Sequence, residues 1–238
     1  MERIIQQTAD GSHTIAIPAL QTMYHSKHGA VQESLHVFIR SGLQYISPQP
    51  AVKILEVGFG TGLNALLTAI KAQQTNRIIE YTGLEAYPLT PEEYLPLNHG
   101  NLLKEPALFK AILTAEWNKQ VAIAAHFSLQ KLNIPLESYR LSDSFSAAAI
   151  KDGSAGFHCI YYDAFAPSAQ PELWTAEAFQ QLYQLLLPGG ILVTYCSKTV
   201  VRRAMEAAGF IANRIQGPYG KREMVRAIKQ EMQAQDCN

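Results

Sequence analysis

Five consecutive residues constrain the fold of this chain more than any others: Gly58-Phe59-Gly60-Thr61-Gly62. They follow a short apolar run, Val52 to Val57, and precede a helix-patterned stretch that opens at Leu63. A strand that becomes a helix within five residues needs backbone angles that a Cβ forbids, and glycine supplies them. In an open α/β sheet such a turn lies at the carboxyl ends of the strands, where ligands bind. The remaining sequence repeats the alternation. Residues 78–84, 127–133, 138–141, 159–163, 191–196, 210–215 and 223–228 read as strands, and 63–73, 102–113, 176–187 and 200–208 as helices. Pro188-Gly189-Gly190 and Gly209 supply the breaks. The pattern predicts an α/β domain with a mostly parallel sheet.

Residues 1–50 precede this alternation. Two short runs flank the turn signal Asp10-Gly11-Ser12, and Val31, Leu35, Phe38 and Ile39 recur at helical spacing before Ser47-Pro48-Gln49-Pro50. We therefore divide the chain into an N-terminal extension (1–50, hairpin and helix) packing on the site, a ligand-binding domain (51–230) and a polar tail (231–238). At 238 residues the chain can bury a sizeable core without staples. Cys159, Cys196 and Cys237 are odd in number and widely spaced, which suits a reducing, cytoplasmic setting. No apolar run is long enough to span a membrane.

Two cofactor classes fit the glycine loop. The dinucleotide fingerprint is G-x-G-x-x-G, but here the third glycine comes one residue early. Glu56, two positions before the first glycine, suits a cationic sulfonium better than a pyrophosphate. The arrangement resembles motif I of class I S-adenosylmethionine-dependent methyltransferases. Glu85 closes the second strand, 25 positions after Gly60, where a carboxylate can accept from both ribose hydroxyls. Thr61 and Asn64 can touch the cofactor or cap the helix. Asp143 can accept from an adenine amino group, or cap a helix. Asp163 ends a later strand in Tyr161-Tyr162-Asp163-Ala164-Phe165-Ala166-Pro167. A carboxylate there can orient an amine and accept its proton before methyl transfer, with Phe165 as an apolar wall; its bland reading is a turn cap.

The stretch from Tyr162 to Ser168, with Pro171-Glu172-Leu173-Trp174, is similar to the MnmC-type tRNA methyltransferase domain. So are residues 56–64, Leu187-Pro188-Gly189-Gly190, Val201-Arg202-Arg203 and residues 220–224, and the extension from Tyr24 to Ile39 looks like that family's N-terminal segment. The resemblance implies a Rossmann-like class I fold with an antiparallel last strand, and S-adenosylmethionine as donor. It implies methylation of the amine of 5-aminomethyl-2-thiouridine at the tRNA wobble position, in the stand-alone form, with a separate flavin oxidase as partner. Glu56, Gly58, Phe59, Gly60, Thr61, Gly62, Asn64, Glu85 and Asp143 would surround the cofactor, and Asp163 the acceptor amine. Tyr24, Glu33, Phe165, Lys221 and Arg222 would face substrate.

Lys plus Arg and Asp plus Glu both number 20, yet residues 198–229 hold eight bases and two acids. That local excess is either a tRNA phosphate surface or a solvated face. His25, His28 and His36 lack the spacing and supporting ligands of a metal site and read as a polar helix start. Trp117 and Trp174 read as packing residues before base-stacking platforms. A polyamine-synthase-like transferase, a nicotinamide-dependent oxidoreductase and a non-catalytic RNA-binding module stand as alternatives.

Overall fold

The computed structural model describes residues 2–231. Residues 232–238, with Cys237 and most of the expected tail, lie outside them. The extension begins with a small antiparallel sheet, β1 (Ile4–Gln7), β2 (His13–Ile17) and β3 (Thr22–Met23). The β1–β2 turn carries the expected Asp10-Gly11-Ser12, and it does more than reverse the chain. Asp10 Oδ2 accepts from Gln32 N (3.0 Å) and Ser12 Oγ from Ala30 N (3.1 Å), so the turn caps α1 (Ala30–Ser34) from a distance. The helix continues as a wider turn through Leu35–Arg40, burying Val37, Phe38 and Ile39.

The main sheet has eight strands: β4 (Ala51–Val57), β5 (Ile78–Leu84), β6 (Gln120–Ala124), β7 (Phe127–Leu132), β8 (Phe157–Tyr162), β9 (Leu186–Thr194), β10 (Ile211–Gln216) and β11 (Glu223–Ile228). Their spatial order is β10-β11-β9-β8-β4-β5-β7-β6. The five central strands, β7 to β9 in that order, are parallel, while β11 inserts antiparallel between β9 and β10. Period-two alternation divides the core. Ile54, Cys159, Tyr161 and Val193 face one side, with α2 (Leu63–Thr75) and Phe38 of the extension. Leu55, Ile160, Tyr162 and Leu192 face the other. Covering that second side are α7 (Ala176–Leu185) and α8 (Thr199–Ala207). Between β8 and β9 the register shifts, leaving Pro188, Gly189 and Gly190 outside the ladder.

Two expected elements differ. The helix expected over 102–113 is split into α4 (His99–Leu102) and α5 (Pro106–Thr114), after a four-residue α3 (Pro91–Tyr94). Pro106 forces the break, because proline lacks an N–H and pushes its predecessor out of the helical region. The strand expected over 138–141 is absent. Single 3₁₀ turns span Leu136–Ser138 and Leu141–Asp143, the second closed by Asp143 Oδ2 accepting from Arg140 N, ahead of α6 (Ala147–Lys151). Among the described residues no helix is long and apolar enough to cross a membrane.

Candidate active site

A cavity of about 830 Å³ opens at the carboxyl ends of β4, β5 and β8. The glycine loop forms its floor. Gly58, Gly60 and Gly62 all have positive φ (90°, 49° and 73°), which explains why three glycines occur in five residues. The loop is tied to β5, since Gly58 N and Phe59 N both donate to Leu84 O at 3.0 Å. It is tied equally to β8: Asp163 N donates to Val57 O, and a Cβ on Gly58 would stand 2.7 Å from Asp163 O. Gly58, Phe59, Gly60, Thr61 and Asn64 line the cavity, whereas Gly62 starts α2 behind it.

Glu85, on the wall, accepts from Gly60 N and Tyr87 N, both at 2.9 Å. Its remaining lone pairs are free for a ligand's hydroxyls. Asp163 stands opposite. Asn64 Nδ2 donates to Asp163 Oδ2 and to Glu56 Oε1, at 2.8 Å each. Burial, and then the Glu33 carboxylate, push Asp163 up to about 7, opposed by the Asn64 hydrogen bond and the Lys221 charge. This side chain is therefore poised between acid and base near neutrality.

Besides Gly62, two of the expected cofactor residues, Glu56 and Asp143, are not brought to the wall. Glu56 is fully buried behind Asn64. Period-two alternation places it on the Ile54 face of β4, toward α2. Burial, and then Asp163, raise its carboxyl well above the usual range. Asp143 also stands away from the cavity, its carboxylate spent on the turn that it caps; Glu137 and Leu136 line that side instead.

The extension supplies the roof. Tyr24 lies over the loop, its ring 2.9 Å from where a Gly60 Cβ would be, and meets Phe165 edge-on with centroids 5.1 Å apart. Two roof residues escaped the sequence reading. His25, read as part of a polar helix start, is buried, and its Nε2 meets Thr61 Oγ1 at 2.8 Å. Arg3 also lines the cavity and clamps the roof to the far wall, through Glu93 Oε2 and Tyr87 O at 2.9 Å each. Neither has a local signal, because both contacts are tertiary.

Glu33 joins the roof to the last strands. Its Oε1 accepts from Lys221 Nζ at 2.6 Å, its Oε2 from Ser26 N, and the Lys221 ammonium lies over the Tyr195 ring. Neither residue lines the cavity. Much of the basic segment is likewise engaged within the fold. Arg202 pairs with Glu206 and Arg214 with Glu223, Arg226 stacks on Tyr45, and Lys229 Nζ donates to the carbonyls of Tyr183 and Leu186. Lys198, Arg203 and Arg222 remain exposed. Trp174 is core, its Nε1 donating to Phe165 O (2.8 Å), and Trp117 packs against Lys131. Cys159 and Cys196 are buried thiols.

A parallel sheet with an inserted antiparallel strand, carrying a glycine-lined cavity at its carboxyl edge, defines a Rossmann-like class I methyltransferase. The chain belongs to the S-adenosyl-L-methionine-dependent methyltransferase family, whose model matches residues 107–230. S-adenosylmethionine is accordingly its cofactor, not a nicotinamide dinucleotide. Over 219 residues, 86% of this chain, it is 32% identical to the tRNA 5-methylaminomethyl-2-thiouridine biosynthesis bifunctional protein MnmC of Pseudomonas fluorescens. It is 30% identical to the MnmC of Cupriavidus necator over 215 residues, 88% of the chain. The matched region spans 32% of each of these relatives, about a third of their length. The crystal structure of MNMC2 from Aquifex aeolicus superposes with a TM-score of 0.71 at 25% identity, covering 95% of this chain and 70% of that one.

Proposed function

We propose that this protein methylates the primary amine of 5-aminomethyl-2-thiouridine at the wobble position of tRNA. The observation that carries the reading is Asp163: a carboxylate on the cavity wall, titrating near neutrality, at the end of a strand beside the glycine loop. The relatives' names supply the substrate class, since 5-methylaminomethyl-2-thiouridine is a methylated aminomethyl nucleoside.

The cavity suits the cofactor. Gly58 and Gly60 line it with bare backbone, Glu85 keeps acceptors for ribose hydroxyls, and the volume is that of a small-molecule site. Phe59, Thr61 and Asn64 complete the cradle, and Gly62 sets the helix that follows it. When bound, S-adenosylmethionine supplies an electrophilic methyl on a sulfonium. Asp163 binds the incoming ammonium, accepts its proton and holds the nitrogen lone pair toward that methyl. Tyr24 and Phe165 exclude water from the approach. Glu33 and Lys221 brace the roof beside Asp163, and Arg222 contacts tRNA phosphate. Residues 1–50 act as a roof module on a methyltransferase domain of residues 51–230. The setting is cytoplasmic, and a separate oxidase provides the aminomethyl substrate.

The test is incubation with methyl-labelled S-adenosylmethionine and tRNA from cells lacking the modification, followed by digestion to nucleosides. Label in 5-methylaminomethyl-2-thiouridine is the expected result. Cofactor binding with no label in tRNA would overturn the reading.

A further inference from the structure

We infer that Glu56 is a proton-bearing, neutral positioning residue that acts through Asn64 to hold Asp163 toward the amine, and not an anionic contact for the cofactor. The role at the amine rests on the function proposed above; the neutrality of Glu56 and its hold on Asn64 do not.

The geometry argues as follows. Glu56 is the penultimate residue of β4, fully buried and off the cavity wall. Its hydrogen-bond donor is Asn64 Nδ2, and Oε2 has no hydrogen-bond partner among the described residues. No cation touches it: Lys221 is taken by Glu33. An ionised carboxylate with one neutral donor and no counter-ion costs several kcal/mol in a core, so such a group takes up a proton instead. The proton also has a use. Tyr81, on β5 opposite Ile54, turns its hydroxyl toward Glu56 and is likewise buried without a partner among the described residues. A hydroxyl on Glu56 Oε2 would give that oxygen a donor.

Asn64 is the link. Its two Nδ2 hydrogens are divided between Glu56 and Asp163, so rotating the amide breaks both bonds. Glu56 therefore fixes the direction from which Asp163 receives its donor. The groups facing Glu56 are the Asp163 and Glu85 carboxyls and the hydroxyls of Tyr81 and Tyr161. Those facing Asp163 are Glu56, Glu33, Lys221 and Tyr195. Two neighbouring carboxyls in this setting titrate as a unit, and the more deeply buried one keeps the proton. Asp163, open to the cavity, is left to ionise.

The experiment compares the intact protein with Glu56→Gln, Glu56→Ala and Asn64→Ala. Infrared difference spectra of the cofactor-free protein at pH 8 should contain a protonated carboxylic C=O band that Glu56→Gln removes. Calorimetry should give Glu56→Gln an S-adenosylmethionine Kd within about threefold of the parent, since no charge contact is lost. Turnover should fall about tenfold or more in Glu56→Ala and be largely rescued in Glu56→Gln. Asn64→Ala should move the acid limb of the pH–rate profile upward, because Asp163 loses its donor. Absence of the infrared band, or a loss of about tenfold or more in cofactor affinity in Glu56→Gln, would overturn the inference. If tRNA is not the substrate, the infrared and calorimetric arms still decide it. If Glu56→Ala does not fold, the glutamine variant, which keeps the volume, carries the test.

Discussion

Gly58 and Gly60 lie two residues apart in one loop, yet replacing them with alanine should have different consequences. At Gly58 the backbone has φ 90° and the added Cβ would meet the carbonyl oxygen of Asp163 at 2.7 Å. A left-handed conformation costs an ordinary residue about 1–2 kcal/mol. The contact is with backbone at the end of β8, which cannot rotate away, and overpacking of this kind costs a further 1–3 kcal/mol or so. The total, roughly 2–5 kcal/mol, corresponds to a Tm fall of about 4–20 °C in a chain of this size. Gly60 has φ 49° and faces the edge of the Tyr24 ring, which can swing aside. Its alanine variant should lose only about 2–8 °C, from the left-handed penalty alone. The functional contrast is sharper. Relieving the Gly58 clash displaces Asp163, and an error of ~1 Å in a group that positions substrate costs about 100-fold in turnover. Relieving the Gly60 clash displaces Tyr24, which should weaken cofactor affinity with less effect on turnover. Differential scanning calorimetry, titration calorimetry with S-adenosylmethionine and labelled-methyl transfer read the three quantities separately. A Gly58→Ala protein with parental Tm and turnover would refute the idea that loop and strand end are packed as one unit.

Two further outcomes follow from the site. Asp163 is raised in the folded protein from about 3.8 toward 7, so its contribution to stability is full below pH 3.8 and is lost as pH rises through 7. Asp163→Asn should thus gain stability relative to the parent between pH 4 and 7, by at most about 4 kcal/mol and read as a rising Tm difference, and keep a constant advantage above pH 8. The same variant should retain cofactor affinity and lose about 10²–10⁴-fold in turnover; a flat Tm difference across that range would contradict the raised carboxyl. Arg3→Ala removes the clamp to Glu93 and Tyr87, worth about 1.5–3 kcal/mol. Limited proteolysis should cut the extension faster while the main sheet stays protected, and equal cleavage rates would argue against Arg3 as the clamp.

Most sheet strands were readable because each is a short run rich in apolar residues and bounded by glycine, proline or polar residues; β5 and β11 have the expected boundaries. Apart from β7 and part of α5, the region from 91 to 151 was not. α3 and α4 are four residues long, too short to show a period, and β6 is a half-exposed edge strand without strong alternation. At the site, the glycine loop, Glu85 and Asp163 follow from strand ends and spacing, and Tyr24 and Phe165 line the cavity. Glu56 was misread because nearness in sequence to the loop does not tell which face of β4 it takes. The alternation of Ile54, Leu55, Glu56 and Val57 carries that answer, and it points inward. His25 and Arg3 are invisible until the roof is folded over the loop.

The roof also sets an order of events. Glu33 and Lys221 are 188 residues apart in sequence, and the His36 ring hydrogen-bonds a carbonyl 180 residues away at Gln216. During synthesis the roof emerges well before these partners, which follow it by 180 residues or more. Contacts of such separation are slow to form, because the loop they close is 188 residues long. The glycine loop and its strands can be in place while the roof is still unanchored on that side. A truncated or partly made chain would then display an open cofactor cradle without its finished enclosure. Closure of the site thus reports that synthesis has passed Gln216 and Lys221.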